Sequence, residues 1–135
     1  MQNLGTTPIV LYDLLKKIND RGIKLTPLRA RERVYKLAKY SDQEIAIGSL
    51  EDTKAAADLG FRRLNDPDWT PAVNEAWVQG AIDGRKKLYL STPQTREYLF
   101  DTKNKRNTMF KREIDQAKLN DYIEEGDYLF PPPKQ

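Results

Sequence analysis

The 135-residue sequence contains neither cysteine nor histidine. Without cysteine there is no disulfide, no thiolate metal site and no thiol nucleophile. Without histidine the chain lacks the usual proton shuttle of neutral pH and the commonest protein ligand of zinc. These absences exclude Ser-His-Asp catalysis, paired-histidine ribonuclease chemistry and zinc deaminase chemistry. Any enzymatic reaction must therefore use carboxylates, cations, hydroxyls or tyrosine.

Long apolar runs are missing as well. No stretch approaches the roughly 18 apolar residues that span a bilayer, and the N-terminus lacks the apolar core of a secretory signal. We therefore expect no membrane segment in this chain, and if it leaves a cell something else must carry it. A mass of 15.7 kDa predicts one domain whose core is large enough for the chain to fold without disulfides or a structural metal.

Positive charge is concentrated at the N-terminal end. The first 40 residues hold nine Lys or Arg against three Asp or Glu, whereas the rest hold fourteen against seventeen. This asymmetry favours a basic face for a polyanion or an acidic protein, although plain solvation of two helices explains it equally well. We predict a basic helical segment over residues 1–43 that packs on the same domain, followed by an α/β core over residues 44–135.

Hydrophobic spacing predicts two helices in the basic segment, over residues 8–20 and 26–40. The second begins at a hydroxyl-proline pair and should turn four residues inward, namely Ala30, Val34, Leu37 and Ala38. Its other face carries a row of cations, Arg29, Arg33 and Lys36. Such a row either binds phosphates or is a solvated helix face.

The stretch from residue 66 to 95 organises the rest of the chain. Thr70 and Pro71 form a helix start, and an apolar stripe continues the helix to about Asp83. An alternating strand over residues 87–91 follows and ends in hydroxyl residues. A helix leading into such a strand is a common way to present polar groups at the edge of a sheet.

The remaining segments complete a small mixed fold. A short strand over residues 44–49 precedes a helix over 54–59 that Asp52 or Thr53 should cap. After a polar loop over 101–107, Thr108 should cap a helix that ends near Asn120, and a terminal hairpin follows. The predicted class is α/β or α+β, with three or four strands, four to five helices and a helical N-terminal part.

A series of residues from position 44 to 132 carries a resemblance, namely Ile47-Gly48-Ser49, Asp52-Thr53, Pro67-Asp68-Trp69-Thr70, Asn74, Ala76-Trp77-Val78-Gln79, Tyr89-Leu90-Ser91, Pro93, Thr108, Phe110, Arg112-Glu113, Gly126-Asp127-Tyr128-Leu129 and Pro131-Pro132. In order and spacing this series resembles the C-terminal toxin domains of bacterial polymorphic toxins, of the Rhs-repeat and related secreted types. The resemblance implies a domain that is delivered as part of a larger effector and acts in the cytoplasm of a target cell. It also implies a cognate immunity protein, which we expect to be acidic. It does not identify the reaction.

The first functional hypothesis is a metal-independent ribonuclease that acts on tRNA or another structured RNA, with no cofactor. Cleavage without histidine needs a base for the 2′-hydroxyl, a cation for the phosphate and a proton donor for the leaving oxygen. The catalytic candidates are Asn74, Arg85, Ser91, Thr92 and Glu113. The substrate-binding candidates are Arg29, Arg33, Lys36, Asp52, Thr53, Trp69 and Tyr89, the two aromatic rings serving to stack bases.

Two alternatives stay open. An NAD-directed glycohydrolase or ADP-ribosyltransferase would brace the nicotinamide ribose with Ser91 and Thr92, and would stabilise oxocarbenium charge with Glu113 or Glu125. A non-enzymatic module would bind nucleic acid or an acidic protein through the cations of the second helix. For most of the candidate side chains, a helix cap, a turn or a surface charge is the simpler explanation.

Overall fold

The computed structural model describes residues 26–134, which form an α+β fold, as predicted from the sequence. Over this range there are five helices and six short strands. In chain order the elements are α1 Thr26–Lys39, β1 Ile45–Ile47, α2 Leu50–Asp58, α3 Pro71–Asp83, β2 Leu88–Leu90, α4 Arg96–Leu99, β3 Phe100–Asp101, β4 Arg106–Asn107, α5 Met109–Leu119, β5 Ile123–Glu125 and β6 Tyr128–Phe130. The helix predicted over residues 8–20 lies outside the described residues.

The main sheet is mixed and has the strand order β1-β2-β6-β5. β1 runs parallel to β2, with Ile45 opposite Leu88, and the other two pairings are antiparallel. Gly126 supplies the positive φ of 61° needed at the first position of the two-residue turn between β5 and β6. Because β1 and β2 are parallel, their two carboxyl ends lie side by side at one edge of the sheet.

One face of this sheet is covered by α1, α3 and α5. Thr70 caps α3 by accepting a hydrogen bond from the amide of Val73, and Pro71 occupies the first helical turn, so the predicted bounds of α3 are confirmed. Trp77 of this helix is 2% exposed and lies in the core. The prediction was wrong for Leu37, which is 47% exposed because it points away from α3.

Two glycines let α1 and α3 approach closely. A Cβ atom added at Gly80 would overlap the carbonyl oxygen of Tyr35, and one added at Gly84 would overlap that of Lys39. Gly80 and Gly84 are four residues apart on α3, and Tyr35 and Lys39 are four residues apart on α1. The two helix backbones therefore meet over a full helical turn. The basic helix α1 is therefore part of the same packed core as α3.

The opposite face of the sheet carries a row of half-buried aromatic rings. The ring of Tyr89 stacks on Phe61 with a centroid distance of 4.5 Å and lies 5.5 Å from Tyr128, which in turn lies 5.7 Å from Phe130. The ammonium group of Lys87 lies 5.2 Å from the centre of the Tyr128 ring. Side chains alternate between the two faces along β2. Because Leu88 and Leu90 point into the core, Tyr89 between them points to the opposite face.

Two segments differ from the sequence prediction. Helix α2 begins at Leu50 because the side chain of Ser49 caps it by accepting a hydrogen bond from the amide of Asp52. Neither Asp52 nor Thr53 is therefore the cap. The segment over 101–107, predicted as a loop, contains the paired strands β3 and β4. Across residues 26–134 no helix is long and apolar enough to cross a membrane.

We predict that Gly80→Ala destabilises the fold by about 1–3 kcal/mol, because the added methyl group must push α1 away from α3. Thermal or denaturant unfolding measures this loss. Glu75→Ala on the exposed side of α3 is the matched control, since it also adds helix propensity but meets no neighbour. An equal stability for both variants would contradict the close approach of the two helices.

Candidate active site

The candidate site lies where the parallel strands β1 and β2 end. The amide of Ser49, just after β1, donates to Thr92 Oγ1 at 2.7 Å, and Thr92 Oγ1 donates to Asp52 Oδ2 at 2.8 Å. The hydroxyl of Ser91 donates to the carbonyl oxygen of Ile47 at 2.8 Å. These bonds fix the two strand-end loops against each other, at the edge where open α/β sheets place their ligands.

Gly48 is required at this junction for two reasons. Its φ is 148°, a conformation that side chains disfavour, and an added Cβ would overlap the hydroxyl oxygens of Ser91 and Thr92. The backbone N–H of Gly48 also lies beside the carboxyl group of Glu113, where it favours the ionised form and so lowers the pKa. The same residue therefore joins the loops and forms part of the environment of the carboxyl group.

Glu113 is the central group of the site. It lies on α5 and is only 5% exposed, although it carries a carboxyl group. Burial raises the pKa of Glu113 from 4.5 to about 8, against the opposing effect of the hydrogen bond from Asn74 and of the nearby Gly48 amide, which favour the ionised form. A carboxyl group with such a pKa exchanges a proton near neutral pH, as a general acid or base requires.

Asn74 is oriented toward Glu113 by Trp69. The indole Nε1 of Trp69 donates to Asn74 Oδ1 at 3.1 Å, and Asn74 Nδ2 donates to Glu113 Oε2 at 3.0 Å. An indole N–H can only donate, so it fixes which end of the amide faces the carboxyl group. Trp69 itself is 46% exposed, which leaves its ring accessible.

These groups line a cleft of about 550 Å³, here called the inner cleft. Its walls are largely apolar and include Leu64, Trp77 and Phe110, and its polar groups converge from five different segments. The polar lining residues are Ser49, Thr53, Asn74, Thr92, Glu97, Tyr98, Thr108 and Glu113. An apolar cleft with a few convergent polar groups and a shifted pKa is the usual form of a small-molecule or active site.

A second space of about 770 Å³, the outer cleft, adjoins the inner one. The two share the lining residues Trp69, Glu97, Thr108 and Met109. The outer cleft is further lined by three arginines, Arg96, Arg106 and Arg112. A proton-exchanging carboxyl group thus lies in the inner part and guanidinium groups lie toward the entrance.

The structure brings part of the predicted site together. Five of the predicted residues line the inner cleft, namely Thr53, Trp69, Asn74, Thr92 and Glu113, and Asp52 contacts Thr92 at its edge. Asn74 and Glu113 are in direct contact although 39 positions separate them in the sequence. This contact is the closest match between the predicted catalytic set and the observed geometry.

Three other predicted residues lie away from the inner cleft. Arg85 follows the C-terminal end of α3, the end opposite Asn74, and its guanidinium group donates to the carbonyl oxygen of Pro132. Tyr89 belongs to the aromatic row on the other face of the sheet. Ser91 lies next to the inner cleft in sequence, but its hydroxyl donates to the carbonyl oxygen of Ile47, and the residue lines a separate depression.

The predicted cation row lies on α1, away from both clefts. Arg33 makes two bonds of 2.9 Å to Asp66 and holds the pKa of that carboxyl group below its usual range. Lys36 pairs with Glu32 at 2.9 Å, and Arg29 is exposed. Among the described residues, none from α1 lines the inner or the outer cleft.

Sequence reasoning did not select the arginines of the outer cleft or Tyr98 of the inner cleft. Arg106 lies in the basic stretch DTKNKRN, which was predicted as a loop, and Arg112 directly precedes Glu113 in the series that carries the resemblance, so both had a signal in the sequence. Within residues 26–134 no group of three or more carboxylates is arranged to hold a metal ion.

We predict that Glu113→Gln makes the fold more stable than the parent at pH 9 but not at pH 5. The raised pKa of Glu113 stabilises the parent fully below pH 4.5, and this stabilisation is lost as the pH rises toward about 8. The neutral amide avoids that loss, so the difference in unfolding free energy should grow to several kcal/mol between the two pH values. Melting curves at pH 5, 7 and 9 measure it.

Glu51→Gln on the exposed side of α2 is the matched control for the loss of one negative charge. Its melting temperature should differ from the parent by a similar small amount at each pH. A Glu113→Gln curve that runs parallel to the control would mean that the carboxyl group is already ionised at neutral pH.

Comparison with known proteins finds no protein family model, no curated protein and no solved structure that matches this chain. The function is therefore inferred from the chemistry of the two clefts.

Proposed function

We propose that this chain is a ribonuclease that uses Glu113 as its general base and that cleaves RNA without a metal ion. The observation that carries the proposal is a buried carboxyl group with a pKa of about 8 at the inner end of an arginine-lined cleft. RNA cleavage requires proton transfer and stabilisation of the charge that develops on the phosphate. The carboxyl group can serve the first and the arginines the second.

The proposed reaction is an internal transesterification. Ionised Glu113 accepts the proton of a ribose 2′-hydroxyl, and the 2′-oxygen attacks the neighbouring phosphorus. The bond from phosphorus to the 5′-oxygen breaks, which leaves a 2′,3′-cyclic phosphate on one product. The 5′-oxygen takes a proton from the hydroxyl of Tyr98, which lines the inner cleft. Water then carries the proton that Glu113 accepted to the Tyr98 oxygen, so both groups return to their starting forms. One proton has moved from the 2′-oxygen to the 5′-oxygen, and the reaction balances without a cofactor.

The surrounding residues have distinct roles in this proposal. Arg112 and Arg96 stabilise the negative charge that develops on the phosphate oxygens. Asn74 is a positioning residue, because it holds the carboxyl group through the bond to Oε2. The accessible ring of Trp69 stacks on a base beside the scissile bond.

The toxin role extends this proposal through the resemblance described above. A ribonuclease delivered as part of a larger effector would stop growth by cleaving tRNA or another structured RNA in the target cytoplasm. The producer would be protected by an immunity protein. An acidic immunity surface over the outer cleft would complement Arg96, Arg106 and Arg112 and would block the substrate.

An NAD-directed reaction is the second candidate. The inner cleft, at about 550 Å³, is large enough for part of a dinucleotide. Such a reaction needs an ionised carboxylate to stabilise oxocarbenium charge, as the ribonuclease needs one for its base, so the pKa of Glu113 does not separate the two candidates. Glu125, the other carboxyl group considered for this role, is exposed on β5. The three arginines of the outer cleft favour the ribonuclease, because an RNA strand offers a phosphate to each of them whereas NAD carries a single diphosphate.

A binding module without catalysis is the third candidate, and the row on α1 was its proposed surface. Two of its three cations are paired with carboxylates, which reduces the charge they offer to a ligand. A binding module also has no need of a buried carboxyl group, whose ionisation costs free energy in an apolar site.

We predict that the purified protein cleaves total RNA and that Glu113→Gln lowers the rate by about 100-fold or more. The logarithm of the parent rate should rise with pH up to about 8 and level off above it, because only the ionised carboxylate acts as a base. Addition of a chelator should not change the rate. Release of nicotinamide from NAD, with RNA left intact, would overturn the proposal in favour of the second candidate.

A matched pair of arginine variants tests the placement of the phosphate. Arg112→Ala should lower the cleavage rate by about 10-fold or more, whereas Arg85→Ala, at the far end of α3, should leave it unchanged. Melting curves confirm that both variants fold. A loss confined to Arg85→Ala would contradict the assignment of the cleft as the active site.

A further inference from the structure

The segment from Phe100 to Asn107, here called the basic hairpin, borders the outer cleft. Strands β3 and β4 pair with Phe100 opposite Asn107 and Asp101 opposite Arg106. Residues from both strands line the outer cleft. The hairpin therefore forms one rim of the entrance to Glu113.

The turn of the basic hairpin is held by Asp101. Its Oδ1 accepts the amides of Lys103 at 3.0 Å and Asn104 at 3.1 Å, and its Oδ2 accepts the side-chain amide of Asn104 at 2.7 Å. These bonds hold the pKa of Asp101 below its usual range, with the Asn104 side chain as the largest cause. The one carboxylate of the hairpin thus has its oxygens directed into the turn.

Three cations of the hairpin are exposed, namely Lys103, Lys105 and Arg106. Of these three, Arg106 lines the outer cleft, together with Arg96 on α4 and Arg112 on α5, which are also exposed. The three arginines share the lining of the outer cleft with two carboxylates, Glu97 and Asp101, while Lys103 and Lys105 extend the basic surface along the turn of the hairpin. The rim of the cleft is therefore more basic than the inner part, where Glu113 lies.

We propose that the basic hairpin, through Lys103, Lys105 and Arg106, is a second subsite that binds the phosphates of an RNA strand beyond the scissile bond, whose own phosphate is assigned to Arg96 and Arg112. The inference rests on the proposed ribonuclease function and specifies its substrate as a polymer. A mononucleotide or dinucleotide fills the inner cleft without reaching the hairpin, whereas a longer strand that leaves the inner cleft must pass this rim. Cations on the rim then contribute affinity through phosphate contacts and the release of counterions.

The test measures binding separately from cleavage. The triple variant Lys103→Gln, Lys105→Gln and Arg106→Gln is placed in the Glu113→Gln background, and a fluorescent single-stranded RNA oligonucleotide serves as the probe. The slope of log Kd against log salt should fall by about 0.7 for each lost phosphate contact, or about 2 for all three. The substituted side chains are exposed, so the melting temperature should change little.

The matched control removes three exposed cations from α1, as Arg29→Gln, Arg31→Gln and Lys36→Gln. It lowers the net charge equally, so it separates contact with the hairpin from general attraction by a basic protein. The salt slope of this control should equal that of the parent. A hairpin variant with an unchanged slope, or a control that loses as much as the hairpin variant, overturns the proposal.

A second measurement uses variants with Glu113 intact. The hairpin variant should raise the KM for the oligonucleotide by about 10-fold or more, while its rate on a dinucleoside monophosphate stays at the parent value. Equal losses on both substrates would overturn the proposal, because they would place the hairpin in the reaction itself. If the parent cleaves neither substrate, the ribonuclease proposal fails, and the salt slopes still decide whether the hairpin binds a strand.

Discussion

The candidate site depends on the burial of one carboxyl group. Glu113 lies inside an apolar cleft, where Asn74 Nδ2 donates a hydrogen bond to it and the amide of Gly48 lies beside it. In water a glutamate loses its proton near pH 4.5, but in this cleft the loss of solvation outweighs the effect of both groups and moves the pKa to about 8. The fold thus converts an ordinary side chain into a proton acceptor suited to neutral pH, which a chain without histidine otherwise lacks.

The features around Glu113 follow from the need to keep it buried and accessible at once. The parallel ends of β1 and β2 provide the Gly48 amide, and the hydroxyl of Thr92 joins the two loops. Trp69 fixes the amide of Asn74 from the solvent side. The cations are set apart on the rim, so they do not pair with the carboxyl group in the inner cleft. In the proposed reaction, this separation would let the base and the cations act on one phosphodiester.

Local sequence signals predicted much of the fold. The bounds of α3 were predicted because a hydroxyl-proline start and an apolar stripe act within a few residues. The candidate site was predicted only in part, because its central contact joins Asn74 and Glu113 across 39 positions. Proximity in sequence placed Tyr89 beside Thr92, although alternation along β2 turns its ring to the opposite face of the sheet. Burial, which sets the pKa of Glu113, depends on all the surrounding elements and has no local signal.

The assembly of the carboxyl site from distant parts of the chain has a consequence for when the protein can act. Gly48, Asn74 and Glu113 come from a loop, the third helix and the fifth helix, and they meet only in the finished fold. A threaded or partly unfolded chain would carry a solvated glutamate of ordinary acidity and no cleft. If the proposed delivery passes the chain in extended form, the chain would be inactive during passage and would gain its proposed activity only on refolding.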